Sequence, residues 1–150
     1  MTLNGEKVTA VPAADYITFD RVWQNGDCVE FELDMPVVVM RANAKITNNA
    51  GRIALMRGPL VYACESVDNP DGIANMRIDT TVPFELKAAE NLPENVISIT
   101  GTAYYESYPD MESLYYSGDI ICNKGTFIAI PYHLWQNRGA AKMAVWIREK

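Results

Sequence analysis

The stretch Tyr16-Ile-Thr-Phe-Asp-Arg-Val-Trp-Gln-Asn-Gly-Asp-Cys-Val-Glu-Phe-Glu-Leu33 is the most informative part of the sequence for the fold class. Near its end, apolar Val29, Phe31 and Leu33 alternate with polar neighbours, and this period of two residues is typical of a half-buried β-strand. Asn25-Gly26 supplies the positive φ values of a tight hairpin turn. The whole stretch therefore predicts a β-hairpin.

Further short strands follow, with turn residues between them. The strands predicted from apolar and β-branched runs are Val37–Ala42, Leu60–Glu65, Val96–Tyr105, Thr126–Tyr132 and Met143–Arg148. Arg52–Met56 suits a strand or a helix, and Lys87–Asn91 suits a single helical turn. No run of ten residues shows helical amphipathicity, so parallel βαβ architecture is excluded. The pattern predicts an all-β fold, an antiparallel β-sandwich of jelly-roll-like or Ig-like type, with few or no helices.

Length and charge limit the classes of function. The chain has 150 residues and a net charge of −6, which indicates one domain or two small ones. An acidic chain argues against binding to nucleic acid, where clustered Lys and Arg neutralise phosphates, and against a polybasic membrane surface. No apolar run has the length of a membrane span, and the first residues lack the pattern of a signal peptide. These observations leave the compartment open.

Few residues have the spacing of a catalytic or metal site. The single histidine, His133, excludes two-histidine zinc motifs, and no nucleophile elbow lies near it. Cys28, Cys64 and Cys122 are widely spaced, so we interpret them as buried hydrophobic residues or free thiols, with one bridge left as an alternative. No nucleotide-binding glycine motif occurs. The sequence predicts no metal and no cofactor.

The carboxylates also favour simple structural roles. Glu30 and Glu32 share one face of a predicted strand with Cβ atoms about 6.5–7 Å apart, and a solvated strand face explains them better than a glycosidase acid/base pair. Asp68, Asp71 and Gly72 faintly resemble a calcium loop but lack its alternating ligands and closing glutamate. A plain turn accounts for them.

Aromatic residues cluster late in the chain. They could stack on sugar rings, or they could cover core edges or a domain interface, since Tyr and Trp are common in both settings. The residues concerned are Tyr104, Tyr105, Tyr108, Tyr115 and Tyr116, with Trp23 and Trp135 near predicted strand ends.

Three ordered stretches carry a family resemblance. They are Tyr16–Asp27 with Val29–Pro36, then Gly51–Glu65, then Ile130–Gly139 with Met143–Arg148. Together they resemble the C-terminal part of the β-L-arabinofuranosidase-like glycoside hydrolases, family 127 and its relatives. The resemblance covers nearly the whole chain and is weakest between residues 69 and 124.

The resemblance implies a chain without catalytic residues. In that family an N-terminal (α/α)6 barrel holds the catalytic cysteine, the zinc-ligating cysteines and glutamate, and the acid/base glutamate, while the C-terminal part is a β-sandwich. None of those residues can be assigned to a position here. The three cysteines of this chain do not match the adjacent pair expected of the nucleophile motif.

The resemblance also bears on domain organisation. The family's sandwich region normally begins upstream of Asn4-Gly5, so we expect strands to be missing, an exposed strand edge, and self-association as a consequence. The whole chain, 1–150, is predicted to be one accessory region. An alternative division joins 1–57 with 128–150 as one sandwich and inserts 58–127 as a second.

Three functional hypotheses follow. The first is a non-catalytic accessory domain that packs on the (α/α)6 barrel of a parent glycoside hydrolase, itself periplasmic or secreted. The second is a carbohydrate-binding module for plant-type glycans, and the third, with least support, is a small enzyme. The candidate interface or sugar-contact residues are Arg57, Tyr62, Tyr132, Trp135, Asn137, Arg138 and Trp23.

Overall fold

The chain is all-β, as the sequence predicts. The computed structural model describes residues 1–9, 16–93, 95–108, 110, 113–115 and 117–150. It divides into two compact units, Met1–Met35 and Pro36–Lys150. The predicted division at residues 57 and 128 stays a prediction. In the described part of the chain, no helix is long and apolar enough to cross a membrane.

The first unit contains a small antiparallel sheet. Within its described residues, three strands, β1 (Thr2–Leu3), β2 (Glu6–Lys7) and β3 (Val29–Glu30), lie in the order β2-β1-β3. Asn4 and Gly5 have φ values of 53° and 81° and connect β1 to β2. Two consecutive positive φ values are the signature of the tight hairpin turn that Asn-Gly favours.

The predicted hairpin over Tyr16–Leu33 is wrong. Asn25-Gly26 does form a turn, closed by a 3.1 Å hydrogen bond from the Asp27 amide to the Gln24 carbonyl, but Gly26 alone has positive φ there. β3 pairs with β1 instead of with an earlier part of that stretch. The Asn-Gly hairpin of this unit is therefore the one at Asn4-Gly5, which the alternation of apolar residues does not reveal.

The second unit has nine strands among its described residues. They are β4 (Val37–Arg41), β5 (Arg52–Arg57), β6 (Leu60–Glu65), β7 (Met76–Ile78), β8 (Glu85–Ala88), β9 (Ile97–Ser107), β10 (Ile121–Pro131), β11 (Met143–Ala144) and β12 (Ile147–Glu149). Two short 3₁₀ turns, Thr47–Asn49 and Tyr132–Leu134, are the helical elements described here.

The pairings link six strands of this unit in a closed circuit. β5 pairs with β6, β6 with β10, β10 with β9, β9 with β7, β7 with β12, and β12 with β5. The β7–β12 pair is parallel, and the other pairings are antiparallel. β4, β8 and β11 pair on the outside with β5, β9 and β6.

Alternating side chains of the circuit strands form one apolar core. Ile53 and Leu55 come from β5, and Phe127 and Ala129 come from β10; all four are buried. The other strands of the circuit supply the remaining core residues Tyr62, Cys64, Met76, Ile78, Ile99, Ala103, Tyr105 and Ile147. This core fixes β6, which holds Tyr62, and the end of β10, after which the predicted interface residues Tyr132, Trp135, Asn137 and Arg138 follow.

Candidate functional site

The structure brings most of the predicted interface residues to neighbouring elements of the second unit. Arg57 ends β5, Tyr62 lies on β6, and the segment Tyr132–Gly139 follows β10. Tyr62 pairs with Pro131 at the end of β10, so that segment starts beside β6. Trp23 belongs to the first unit and is described separately below.

Tyr62 anchors the inner side of this region. Its side chain is buried, and its hydroxyl donates a 3.0 Å hydrogen bond to the Ile97 carbonyl on β9. Burial raises the pKa of this phenol, and the positive charge of nearby Arg57 opposes the increase. Tyr62 is therefore a core residue whose side chain is largely removed from solvent.

The segment Tyr132–Gly139 presents side chains to solvent. It begins with the 3₁₀ turn Tyr132–Leu134, where the Trp135 amide donates a 3.2 Å hydrogen bond to the Tyr132 carbonyl. Tyr132 is 44% exposed, and Asn137 is also exposed, whereas Trp135 is half-buried. Tyr132 and Asn137 are thus placed for outward contacts.

A buried carboxylate holds this segment from inside. Glu65, the last residue of β6, is 1% exposed and accepts a 2.6 Å hydrogen bond from the backbone amide of Gln136. Gln136 has a φ of 65°, a left-handed conformation that a residue with a side chain rarely adopts. The amide–carboxylate bond therefore fixes a backbone conformation that would otherwise be unfavourable.

Arg138 completes the same cluster. Its Nη2 donates to Glu65 Oε2 at 2.6 Å, and its Nη1 donates to Asp68 Oδ1 at 2.7 Å. The hydrogen bonds that Arg138 donates to Asp68 and Glu65 raise the pKa of its guanidinium, and its burial opposes the increase. We call Glu65, Asp68, Gln136 and Arg138 the loop brace. We expect the loop brace to make the segment Tyr132–Gly139 rigid. Because Arg138 is held by Glu65 and Asp68, its side chain has little freedom to bind another group.

Three members of the brace, Glu65, Asp68 and Gln136, are not among the contact residues predicted from the sequence. The available signal was an acidic residue that directly follows the apolar run ending in Cys64. A buried carboxylate at such a position needs a cation or several N–H donors. Only the fold shows that Arg138 supplies that cation.

Trp23 lies in a local cluster of its own unit. Its ring meets Phe19 edge-on at a centroid distance of 6.0 Å, and the Arg21 guanidinium lies 5.2 Å from the Trp23 ring centroid. Arg21 also pairs with Asp27 at 3.1 Å. With 49% of its surface exposed, Trp23 has an accessible aromatic face.

The late tyrosines do not share one environment. Tyr105 is buried and donates to the Thr126 carbonyl at 2.7 Å, while Tyr104 lies under the Lys150 ammonium at 4.2 Å. Tyr108 donates to the buried Glu106 at 2.9 Å, whereas Tyr115 is 92% exposed. Tyr116 lies outside the described residues. The predicted aromatic cluster therefore divides between core and surface.

The described residues offer little for catalysis. No group of three or more His, Cys, Asp or Glu side chains among them is placed to hold a metal ion. His133 is exposed, and the cysteines are free thiols, with Cys64 buried and Cys28 and Cys122 exposed. The buried carboxylates Glu65 and Glu106 are both engaged by arginine. What the site can do is hold an exposed segment in a fixed shape.

Comparisons with known proteins agree with this geometry. The profile of the glycoside hydrolase family 127 C-terminal domain matches residues 37–148. The non-reducing end β-L-arabinofuranosidase of Bifidobacterium longum subsp. longum is 32% identical over 160 residues, which covers 99% of this chain and 23% of that enzyme.

Solved structures give the same result. The GH127 β-L-arabinofuranosidase of Geobacillus stearothermophilus T6 is 39% identical, with a TM-score of 0.78, over 99% of this chain and 24% of the enzyme. Another GH127 β-arabinofuranosidase is 30% identical, with a TM-score of 0.81, over 99% of this chain and 23% of that one. The chain spans about a quarter of the length of these relatives.

Proposed function

Because the chain belongs to the glycoside hydrolase family 127 C-terminal domain family, we propose that it packs on the catalytic (α/α)6 barrel of a β-L-arabinofuranosidase-like enzyme and supports that barrel. In this proposal the barrel is part of the same polypeptide and performs the hydrolysis. The chain contributes stability to the whole enzyme and no catalytic group.

One observation carries the supporting role: an exposed segment is fixed from within. The loop brace holds Tyr132–Gly139 through Glu65, which is almost completely buried. A preorganised surface loses less conformational entropy when a partner binds than a mobile one does. Tyr132 and Asn137 are the outward-facing residues of this segment, and we assign them to the contact.

The edge strand β4 supports the same role. Val38 and Met40 share its outer face and are 45% and 43% exposed, although they lie in a regular strand paired to β5. Apolar area of this kind contributes favourable free energy when a partner covers it, at about 25 cal/mol per Å². We assign Val38 and Met40 to the covered surface as well.

A carbohydrate-binding module is the second candidate, because two aromatic side chains have accessible faces. Trp23 is 49% exposed and Tyr132 is 44% exposed, and either ring could stack on a sugar. A titration with arabino-oligosaccharides, followed by tryptophan fluorescence, tests this candidate. A saturable change that the Trp23→Ala substitution removes would favour it over the supporting role.

A chimera tests the supporting role. In the Geobacillus stearothermophilus enzyme, the region matched by this chain is replaced with this chain, and a second version is truncated before that region. We expect the chimera to be soluble and to hydrolyse a β-L-arabinofuranoside, and the truncated enzyme to aggregate or to lose activity at a lower temperature. This chain alone should not hydrolyse the substrate.

Variants of the chimera then locate the contact. Tyr132→Ala and Met40→Ser should shorten the half-life of activity on heating, whereas Lys45→Gln, a change at an exposed residue, should not. A truncated enzyme as stable as the chimera would contradict the supporting role. Hydrolysis by this chain alone would contradict its non-catalytic character.

A further inference from the structure

The end of β5 carries a cation with an unused hydrogen-bond donor. Arg57 is half-buried, and its Nε is buried without a hydrogen-bond partner among the described residues. A buried donor without an acceptor costs free energy, and most such groups in folded proteins have a protein or water partner. Arg57 Nε therefore calls for an acceptor that the described residues do not supply.

A cavity of about 200 Å³ lies at this position. Its lining residues include Arg57 and Tyr62, the neighbouring Asn95 and Ile97, and His133 and Leu134 around the 3₁₀ turn. One water molecule takes up about 30 Å³, so the cavity has room for a small polar group and a few waters. His133 and Leu134 belong to the segment Tyr132–Gly139, which the proposed function assigns to the contact.

The charge around this cavity favours an anion. Arg57 is its cationic residue, and no Asp or Glu is found among its described lining residues. The ion pairs of the described residues do not involve Arg57, whereas Arg138 and Arg77 each bind buried carboxylates. A guanidinium prefers a carboxylate because the pair gains both charge attraction and directional hydrogen bonds.

We propose that the Arg57 cavity is a socket for an Asp or Glu side chain that the catalytic barrel of the same polypeptide inserts between β5 and the Tyr132–Leu134 turn. This socket rests on the proposed function and specifies the chemistry of one partner group. The inserted carboxylate accepts from Arg57 Nε and displaces water from the cavity. The socket thereby sets the position of the barrel against this domain.

The chimera described above tests the socket directly. A crystal structure of it should place an Asp or Glu oxygen from the Geobacillus portion about 2.7–3.2 Å from Arg57 Nε. Arg57→Gln should shorten the half-life of activity on heating about tenfold, and Arg57→Lys should keep part of the effect. Lys45→Gln is the control for the loss of one positive charge.

A variant of Glu94 tests whether this chain itself supplies the carboxylate. Glu94 precedes Asn95, which lines the cavity, and it lies outside the described residues. The socket proposal is overturned if Glu94→Gln has the same effect as Arg57→Gln. It is also overturned if the crystal structure shows Glu94, a backbone carbonyl or only water at Arg57 Nε. In either case the supporting role stands. If the chimera that carries the unmodified chain fails to fold, the proposed supporting role is overturned, and the socket proposal is overturned with it.

Discussion

Arg138 and Glu65 lie 73 positions apart in the chain and are joined by a 2.6 Å hydrogen bond between Nη2 and Oε2. The Glu65 side chain is 1% exposed and that of Arg138 is 14% exposed, so the pair is largely removed from water. The other carboxylate oxygen of Glu65, Oε1, accepts a hydrogen bond from the Gln136 amide. One carboxylate therefore determines both the position of Arg138 and the backbone conformation of the segment that precedes it.

Replacing Arg138 should destabilise the second unit. Arg138→Met leaves Glu65 as a buried charge whose described partner is the Gln136 amide, and breaking a buried pair in this way costs about 3–5 kcal/mol. We expect a loss of about 3 kcal/mol in the free energy of unfolding, measured by urea denaturation near pH 7. Lys87→Met, which breaks the exposed Lys87–Glu85 pair, is the control and should change little.

A double variant separates the lost pair from lost packing. Glu65→Met combined with Arg138→Met removes both charges, and the buried methionines replace the pair with apolar contacts. The double variant should recover most of the stability that Arg138→Met loses. Equal stability of the single and double variants would contradict a role for the uncompensated Glu65 charge.

The strand β6 shows what the sequence predicts well. Leu60–Glu65 has the same bounds in the prediction and in the structure, because an apolar run is delimited by Gly58-Pro59 before it and turn residues after it. The four residues of β8, Glu85–Ala88, are all exposed, and the alternation of Leu86 and Ala88 with charged residues is too short to distinguish a strand from a helical turn. β8 is a strand because it pairs with β9, and the predicted helical turn over Lys87–Asn91 is wrong.

The sequence predicts which segments form the candidate site, but it does not predict the contacts between them. The family stretch Ile130–Gly139 contains the predicted contact residues Tyr132, Trp135, Asn137 and Arg138, and the structure places them after the end of β10. The brace depends on a contact between Glu65 and Arg138, which no local pattern encodes. Arg57 is a predicted contact residue, but the burial of its Nε without a partner among the described residues follows from the packing of three separate elements.

Asp79 should make stability depend on pH in the acid range. Hydrogen bonds from the Lys150 ammonium at 2.8 Å and from the Thr81 hydroxyl at 2.6 Å lower the pKa of Asp79 to about 2. The unfolded value is about 3.9. Because the folded pKa is the lower one, the stabilisation is fully present above pH ~5 and is lost as pH falls through ~4 towards 2.

The measurement compares the unmodified chain with Asp79→Asn in urea at several pH values. The stability difference should be constant above pH ~5 and should shrink as pH falls from ~4 to ~2. Lys150→Met removes the largest cause of the lowered pKa and should move this fall to higher pH. A difference that stays constant down to pH 2 would show that Asp79 is not held ionised by these donors.

The three cysteines should differ in reactivity. Cys28 and Cys122 are exposed, whereas Cys64 is buried in the core, and burial raises the pKa of its thiol to about 12. The thiolate is the reactive form, so Cys64 should be inert at neutral pH. Iodoacetamide at pH 7.5 should modify two cysteines in the folded chain and three in 8 M urea, as counted by mass spectrometry. Modification of Cys64 as fast as Cys122 in the folded chain would contradict the core packing.

Gly101 should be intolerant of a larger residue because two aromatic rings meet above it. A Cβ at this position would lie 2.9 Å from Phe127 Cε1 and 2.9 Å from Phe84 Cδ1, inside van der Waals contact. The two rings pack edge to face at a centroid distance of 6.0 Å, so a shift of either ring disturbs this contact. Gly101→Ala should therefore lower the free energy of unfolding by about 1–3 kcal/mol, measured in urea.

A compensating substitution tests the steric cause. Phe127 is completely buried, whereas Phe84 is half-buried and comes from the segment before β8, so Phe84 is the ring that can be reduced. Phe84→Leu in the Gly101→Ala background should restore part of the lost stability, although Phe84→Leu alone should be destabilising. If the stability losses of Gly101→Ala and Phe84→Leu simply add in the double variant, the cost of Gly101→Ala lies in the backbone of β9 and not in its contact with the rings.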